Sequence, residues 1–98
     1  MLLLLLIACN PVRPACDRFV SAHDACSIAY TGDADAMLGG DWCDTYDDIN
    51  DPDLANYFDC ATALIEGSDC ADNPLGQVDD AWQSCDVYGY DVANGVSF

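Results

Sequence analysis

The sequence contains no lysine, and its arginines are limited to Arg13 and Arg18. They are opposed by 18 acidic residues, of which Glu66 is the single glutamate, so the formal net charge is -16 at pH 7. Proteins bind nucleic acids through cationic contacts with the phosphates, which this composition does not supply. The charge therefore excludes nucleic acid as a partner, and anionic lipid headgroups would repel the chain for the same reason.

The sequence also lacks an apolar run of the roughly 20 residues that a membrane-spanning helix needs. The run at residues 2–9, LLLLLIAC, stops at Asn10 and Pro11. A short apolar run that ends at a small residue near the N-terminus is typical of a secretory signal peptide. We therefore predict that residues 1–8 are a signal peptide and that the protein is exported. No lysine or arginine precedes the leucines, so either translation starts upstream or the positive region of the signal is minimal.

The apolar run ends in four residues that resemble the lipobox of bacterial lipoprotein precursors: Leu6, Ile7, Ala8 and Cys9. The resemblance implies that Cys9 is lipidated on sulfur, becomes the mature N-terminus and anchors the protein to a membrane, with residues 9–14 as anchor and short spacer. One acyl chain anchors only marginally, and lipoproteins of this kind carry more. The resemblance also implies a cell-envelope location. Asn10 after the anchor favours the outer membrane, facing the periplasm or the cell surface.

Residues suited to binding transition metals are scarce, because His23 is the single histidine and no two cysteines have C-x2-C spacing. A zinc site is therefore disfavoured. An even number of cysteines in a short exported domain instead predicts a disulfide framework of three bridges and leaves their connectivity open. Each bridge that closes a loop of tens of residues contributes about 4 kcal/mol in the chain-entropy model. With Cys9 set aside, the six cysteines are Cys16, Cys26, Cys43, Cys60, Cys70 and Cys85.

Helix signals begin with residues 15–30, where apolar positions recur at helical spacing. Pro14 suits the first turn of this helix, and Gly32 suits its end. His23 falls on or near the apolar face, which predicts a half-buried core histidine rather than a ligand or catalyst. A short helical turn is predicted over residues 42–49, with one apolar stripe that favours a core position.

The clearest helix start in the sequence is Asp51 followed by Pro52, an N-cap aspartate with proline at the first helical position. Apolar residues follow at helical spacing until Gly67, which predicts an amphipathic helix. A similar start at residues 73–74 predicts a fourth helix that reaches Cys85. The predicted fold is a small, mostly α-helical, disulfide-stapled bundle of three to four short helices.

We assign residues 15–86 to this domain and residues 87–98 to an extended C-terminal tail. The tail alternates in residues 88–98, YGYDVANGVSF, between larger apolar residues and small or polar ones, which is strand spacing. We predict that it packs its aromatic side chains on the helical core. The alternative is a strand that adds to the sheet edge of a partner protein.

The cysteine spacing resembles the twin CX9C pattern of helical hairpins, since nine residues separate Cys16 from Cys26 and nine separate Cys60 from Cys70. In that family two antiparallel helices are stapled at both ends. The resemblance implies the bridges Cys16–Cys70, Cys26–Cys60 and Cys43–Cys85. Independently, two cysteines ten positions apart on one helix lie about 15 Å apart, beyond the ~7 Å that a bridge allows. Cys16 therefore cannot pair with Cys26.

No nucleophile stands beside a base, and the sequence has no metal-ligand cluster or glycine-rich phosphate loop. We therefore predict a non-catalytic cell-envelope protein without a cofactor, an interaction or structural module that meets a protein partner of the envelope. One alternative is that the aspartates of residues 33–53 bind calcium or another divalent cation. A more remote alternative is a hydrolase that uses paired carboxylates such as Asp47 and Asp48.

Truncation after Asp86 tests the predicted packing of the tail. We expect a large fall in melting temperature, measured by circular dichroism, because the aromatic side chains lose their contacts with the helices. Unchanged stability together with lost cross-linking partners would instead indicate a partner-binding strand. If stability and partners both survive, the alternating pattern is accidental.

Overall fold

The computed structural model describes residues 11–72, 84–85 and 88–89 of the 98-residue chain. These residues form helix α1 (Val12–Thr31), two 3₁₀ helices (Ala34–Ala36 and Trp42–Tyr46) and helix α2 (Pro52–Glu66), and they contain no strand. The predicted mostly α-helical fold with three disulfides is confirmed.

Several predicted features lie outside the described residues. They are the signal peptide, the lipobox with Cys9, and all of the tail except Tyr88 and Gly89. Of the predicted fourth helix, Ser84 and Cys85 are described, and both are helical.

Helix α1 begins earlier than predicted, at Val12, and so takes in part of the proposed spacer. Pro14 still falls in the first turn, where a missing N–H costs no helical hydrogen bond. The helix ends at Gly32, which has φ +68° and donates its N–H to the Ile28 carbonyl at 2.9 Å. A left-handed residue directly after a helix favours glycine, so the predicted end is confirmed.

Helix α2 follows its sequence signals closely. The Asp51 side chain accepts a hydrogen bond from the Asp53 N–H at 3.0 Å, and Pro52 opens the first turn. The Gly67 N–H donates to the Ala63 carbonyl at 3.1 Å and ends the helix. The predicted helical turn at residues 42–49 is present as the tighter 3₁₀ helix Trp42–Tyr46.

Helices α1 and α2 run in the same general direction. Arg18 of α1 hydrogen-bonds Asp59 of α2, while farther along both elements Cys26 is bridged to Cys70, just beyond the end of α2. Because α2 is parallel to α1, the connecting chain must return to the start of α1 before α2 begins. Residues 32–51, here named the return segment, form this connection and lie along the side of α1.

Contacts with α1 show the direction of the return segment. The Leu38 N–H bonds to Asp24, a bridge joins Cys43 to Cys16, and Asp44 pairs with Arg13. As numbers rise in the return segment, they fall in α1, so the segment is antiparallel to the helix. It delivers the chain to the start of α2 beside the start of α1.

Aromatic rings fill the space between the three segments. The Phe19 and Phe58 ring centroids are 5.5 Å apart, and the Trp42 centroid lies 5.6 Å from Phe19. Tyr46 contacts Phe58 edge-on at 5.2 Å. Phe19 of α1 and Phe58 of α2 are buried, and Trp42 and Tyr46 of the return segment pack against them. All three segments therefore contribute rings to one core. The described core comprises Val12, Ala15, Cys16, Phe19, Val20, Cys26, Cys43, Leu54, Ala55, Tyr57, Phe58, Ala61, Ile65 and Cys85.

The disulfides pair all six cysteines, but the connectivity implied by the CX9C resemblance is wrong. The bridges are Cys16–Cys43, Cys26–Cys70 and Cys60–Cys85. An antiparallel hairpin would bring Cys60 to Cys26, whereas the parallel course of α2 brings Cys70 there. The start of α1 meets the return segment instead, so Cys16 pairs with Cys43. Cys16 and Cys26 are not joined, in agreement with their spacing on one helix.

Peptide mapping tests this topology. Pepsin digestion at acid pH, where thiol–disulfide exchange is slow, is expected to release peptides joined through Cys16–Cys43, Cys26–Cys70 and Cys60–Cys85. The intact oxidised protein should be about 6 Da lighter than its reduced form, because each bridge removes about 2 Da. Recovery of Cys26 joined to Cys60 would restore the antiparallel hairpin and overturn the parallel arrangement.

Candidate functional site

Two aspartates of the return segment serve as helix N-caps. Asp33 accepts a hydrogen bond from the Asp35 N–H at 2.9 Å at the start of the first 3₁₀ helix, and Asp51 caps α2. Nowhere in the described residues do three His, Cys, Asp or Glu side chains converge to hold a metal ion. Cation binding at residues 33–53 stays a prediction.

Arg13 collects three carboxylates at the start of α1. Its guanidinium pairs with Asp17 at 3.0 Å, with Asp44 at 3.0 Å and with Asp47. These hydrogen bonds, led by those to Asp17 and Asp47, hold the pKa of Arg13 above its ordinary value. Asp47, one of the two carboxylates of the hydrolase alternative, is thus engaged by Arg13, while Asp48 is exposed.

His23 and Asp24 form a buried polar pair on α1. His23 is fully buried, so the prediction of a core histidine is confirmed, although its burial is complete rather than partial. Its Nδ1 lies 3.0 Å from Asp24 Oδ1. The same carboxylate accepts the Leu38 N–H at 2.7 Å and the Gly39 N–H at 3.2 Å. Asp24 therefore fastens the return segment to α1, and we name this arrangement the Asp24 clasp.

The Asp24 clasp determines the charge state of its own carboxylate. Burial raises the pKa of Asp24, but hydrogen bonds from His23, Leu38 and Gly39 favour the ionised form and together outweigh burial. The net result is a pKa below the ordinary value of 3.8. The carboxylate is therefore negative at neutral pH while only 7% exposed, and its lone pairs are committed to structure.

An open groove of about 640 Å³ lies between α1 and the end of α2. Small residues of α1 form one wall, and Ile65 with the Cys26–Cys70 bridge forms much of the remainder. Carboxylates stand at its margins, Asp17 on α1 and Glu66 on α2. A concave, mostly apolar surface with a few polar groups at the edge is the usual form of a binding site.

The cation in the wall of this groove is already bound within the protein. Arg18 donates to both oxygens of Asp59, at 2.9 and 3.2 Å, across the α1–α2 contact. Arg13, the other arginine, is held by its own three carboxylates. Both arginines of the chain therefore have internal partners, and the carboxylate of the groove that neither arginine binds is the exposed Glu66.

Sequence analysis does not identify Asp24 or the groove. A signal for Asp24 exists in its helical position, since it lies four residues after Val20 and three before Ser27, both of which are buried. An ionisable residue between buried positions needs a partner. The groove has no such signal, because it depends on the direction of α2, which the helix pattern leaves undetermined.

Comparisons of the chain with protein-family models, with curated proteins and with solved structures find no match. Within the described ranges, no helix has the length and apolar character needed to cross a membrane.

Asp24→Asn tests the clasp. The variant keeps the side-chain shape but loses the charge, and we expect the free energy of unfolding at pH 7 to fall by about 1.5–3 kcal/mol, the range for hydrogen bonds to charged groups. Because the folded-state pKa lies below the unfolded one, the wild-type contribution is present above about pH 5 and is lost as the pH falls through the folded-state pKa.

Urea unfolding followed by circular dichroism over a pH series measures both effects. The Asp24→Asn variant should show a shallower loss of stability below about pH 5 than the wild type, because it lacks the titrating carboxylate. Asp48→Asn, at an exposed carboxylate, is the matched control and should behave as the wild type. Equal losses in the two variants would contradict the clasp.

Proposed function

We propose that this protein is a lipid-anchored component of the cell envelope whose acidic, disulfide-stapled domain is a non-catalytic interaction module. The observation that carries the proposal is the sequence Leu6-Ile7-Ala8-Cys9 at the end of a short apolar run. It supplies a site for lipid attachment directly before a domain that has no other evident means of membrane attachment among its described residues.

The disulfides support export. Three bridges in a small domain are typical of proteins that fold in oxidising compartments, and they are rare in the cytosol. The structure is thus consistent with an exported protein. The outer membrane, favoured by Asn10, is the more specific part of the proposal.

The arrangement of titratable residues supports a non-catalytic role. Reactive carboxylates and histidines usually line a cleft that admits substrate. Here His23 is fully buried, Asp24 is committed to backbone N–H groups, and Asp47 is paired with Arg13. Asp47, one of the two carboxylates of the hydrolase alternative, is therefore engaged in an ion pair, and His23 and Asp24 are committed to the fold.

The interaction role is supported by the surface charge and by the groove. With a formal net charge of -16, the domain stays soluble and repels its own copies. The groove between α1 and α2 supplies concave apolar surface that a partner can bury. An anchored domain with these properties is suited to hold a second protein near the membrane.

Metabolic labelling with an alkynyl fatty acid tests the proposal. The protein should incorporate the label, and Cys9→Ser should abolish labelling and release the domain from membranes, because the acyl chains have no other attachment site. Asn10→Ser is the matched control, since it introduces serine one position later and leaves the lipobox intact. Persistent labelling of the Cys9→Ser variant would overturn the anchor, and retention of the wild type in the inner membrane on fractionation would overturn outer-membrane sorting.

A further inference from the structure

The groove between α1 and α2 has the dimensions of a helix-binding site. Its α1 wall extends from Asp17 to Ala29, about 18 Å at 1.5 Å per residue, or roughly three helical turns. The wall is made of short side chains, which let a bound backbone approach closely: Ser21, Ala22, Ala25 and Ala29.

Apolar surface continues along the outer edge of that wall. Ile28 is 40% exposed, and it follows Ser21 by seven residues and Ala25 by three, so all three share one edge of α1. On the other side Ile65 is buried at the base of the groove. A partner that lies along the groove would therefore cover a continuous apolar strip.

Charge determines which kind of partner can occupy this strip. Asp17, Arg18 and Glu66 all line the groove, but Asp17 is paired with Arg13 and Arg18 with Asp59, so the exposed Glu66 carries the remaining charge of the lining. A second copy of the chain would bring another formal charge of -16 and be repelled. A partner with cationic residues beside its apolar ones would instead meet complementary charge at Glu66 and in the net negative charge of the domain.

We propose that the groove between α1 and α2 binds a cationic amphipathic helix of a partner protein, with apolar residues against the alanine wall and lysine or arginine residues near Glu66. This inference rests on the proposed interaction role and specifies the partner. The mode is that of an amphipathic helix laid in an apolar groove between two helices. The docked helix supplies the external cations that this lysine-free chain lacks.

Isothermal titration calorimetry with a defined probe tests this inference. The probe is a synthetic 14-residue helix with leucine on one face and lysine on the other, titrated into the purified, fully oxidised protein in the absence of membranes. We expect saturable one-to-one binding. Replacing each lysine of the probe by glutamate should abolish binding, because Glu66 and the net charge of the domain would repel the acidic probe.

Two matched substitutions locate the binding site. Ala25→Trp fills the groove at an exposed position and should weaken binding about tenfold or more, whereas Ala34→Trp adds the same side chain at an exposed position on the return segment and should leave it unchanged. Ala29→Trp is a second groove variant and should act as Ala25→Trp does. Melting temperatures of all three variants establish that they remain folded.

Three results would overturn the inference: no binding of the lysine probe, equal binding by the Ala25→Trp and Ala34→Trp variants, or equal binding of the lysine and glutamate probes. Equal binding by the two variants would mean that attraction is spread over the acidic surface. Because the measurement needs no membrane, failure here leaves the lipid anchor at Cys9 intact, and a failed labelling experiment leaves the groove intact.

Discussion

The fold depends on the attachment of the return segment to α1. Two parallel helices that follow each other in sequence need a connection as long as the first helix, and this one has only two short 3₁₀ helices of its own. Ordering such a segment costs about 1–2 kcal/mol of backbone entropy per residue. Three different contacts offset that cost: the Asp24 clasp near one end, the Cys16–Cys43 bridge farther along, and Arg13 at the start of α1. The position of α2 follows, because its cap residue Asp51 ends the same segment.

Local signals in the sequence predict the helices well, and the topology poorly. Asp51, Pro52 and Gly67 act through their own backbone geometry, so their effect is the same in any tertiary context. The cysteine spacing, in contrast, is compatible with either direction of α2. The direction of α2 depends on the return segment. The aspartates and glycines of that segment form no periodic pattern from which its structure could be predicted. The pairing error and the unpredicted groove therefore have one physical cause, which is contact between residues distant in sequence.

The two arginines are placed where they connect α1 to its neighbours. Arg13 contacts the return segment, and Arg18 contacts α2. Exposed ion pairs contribute only about 0–1 kcal/mol, so their main effect is to favour one arrangement of segments over others in a chain full of carboxylates. With two arginines against 18 acidic residues, net repulsion weakens the compact state and makes the covalent bridges correspondingly valuable.

The disulfide loops also overlap along the chain. The loop from Cys16 to Cys43 contains Cys26, and the loop from Cys26 to Cys70 contains Cys60, which is bridged to Cys85. Together they enclose every peptide bond between residues 16 and 85, so a protease that cuts once in this range leaves both pieces covalently joined. Only reduction or several cuts divide the domain. For a domain anchored through Cys9, as proposed, a single cleavage would release it whole only between Cys9 and Cys16.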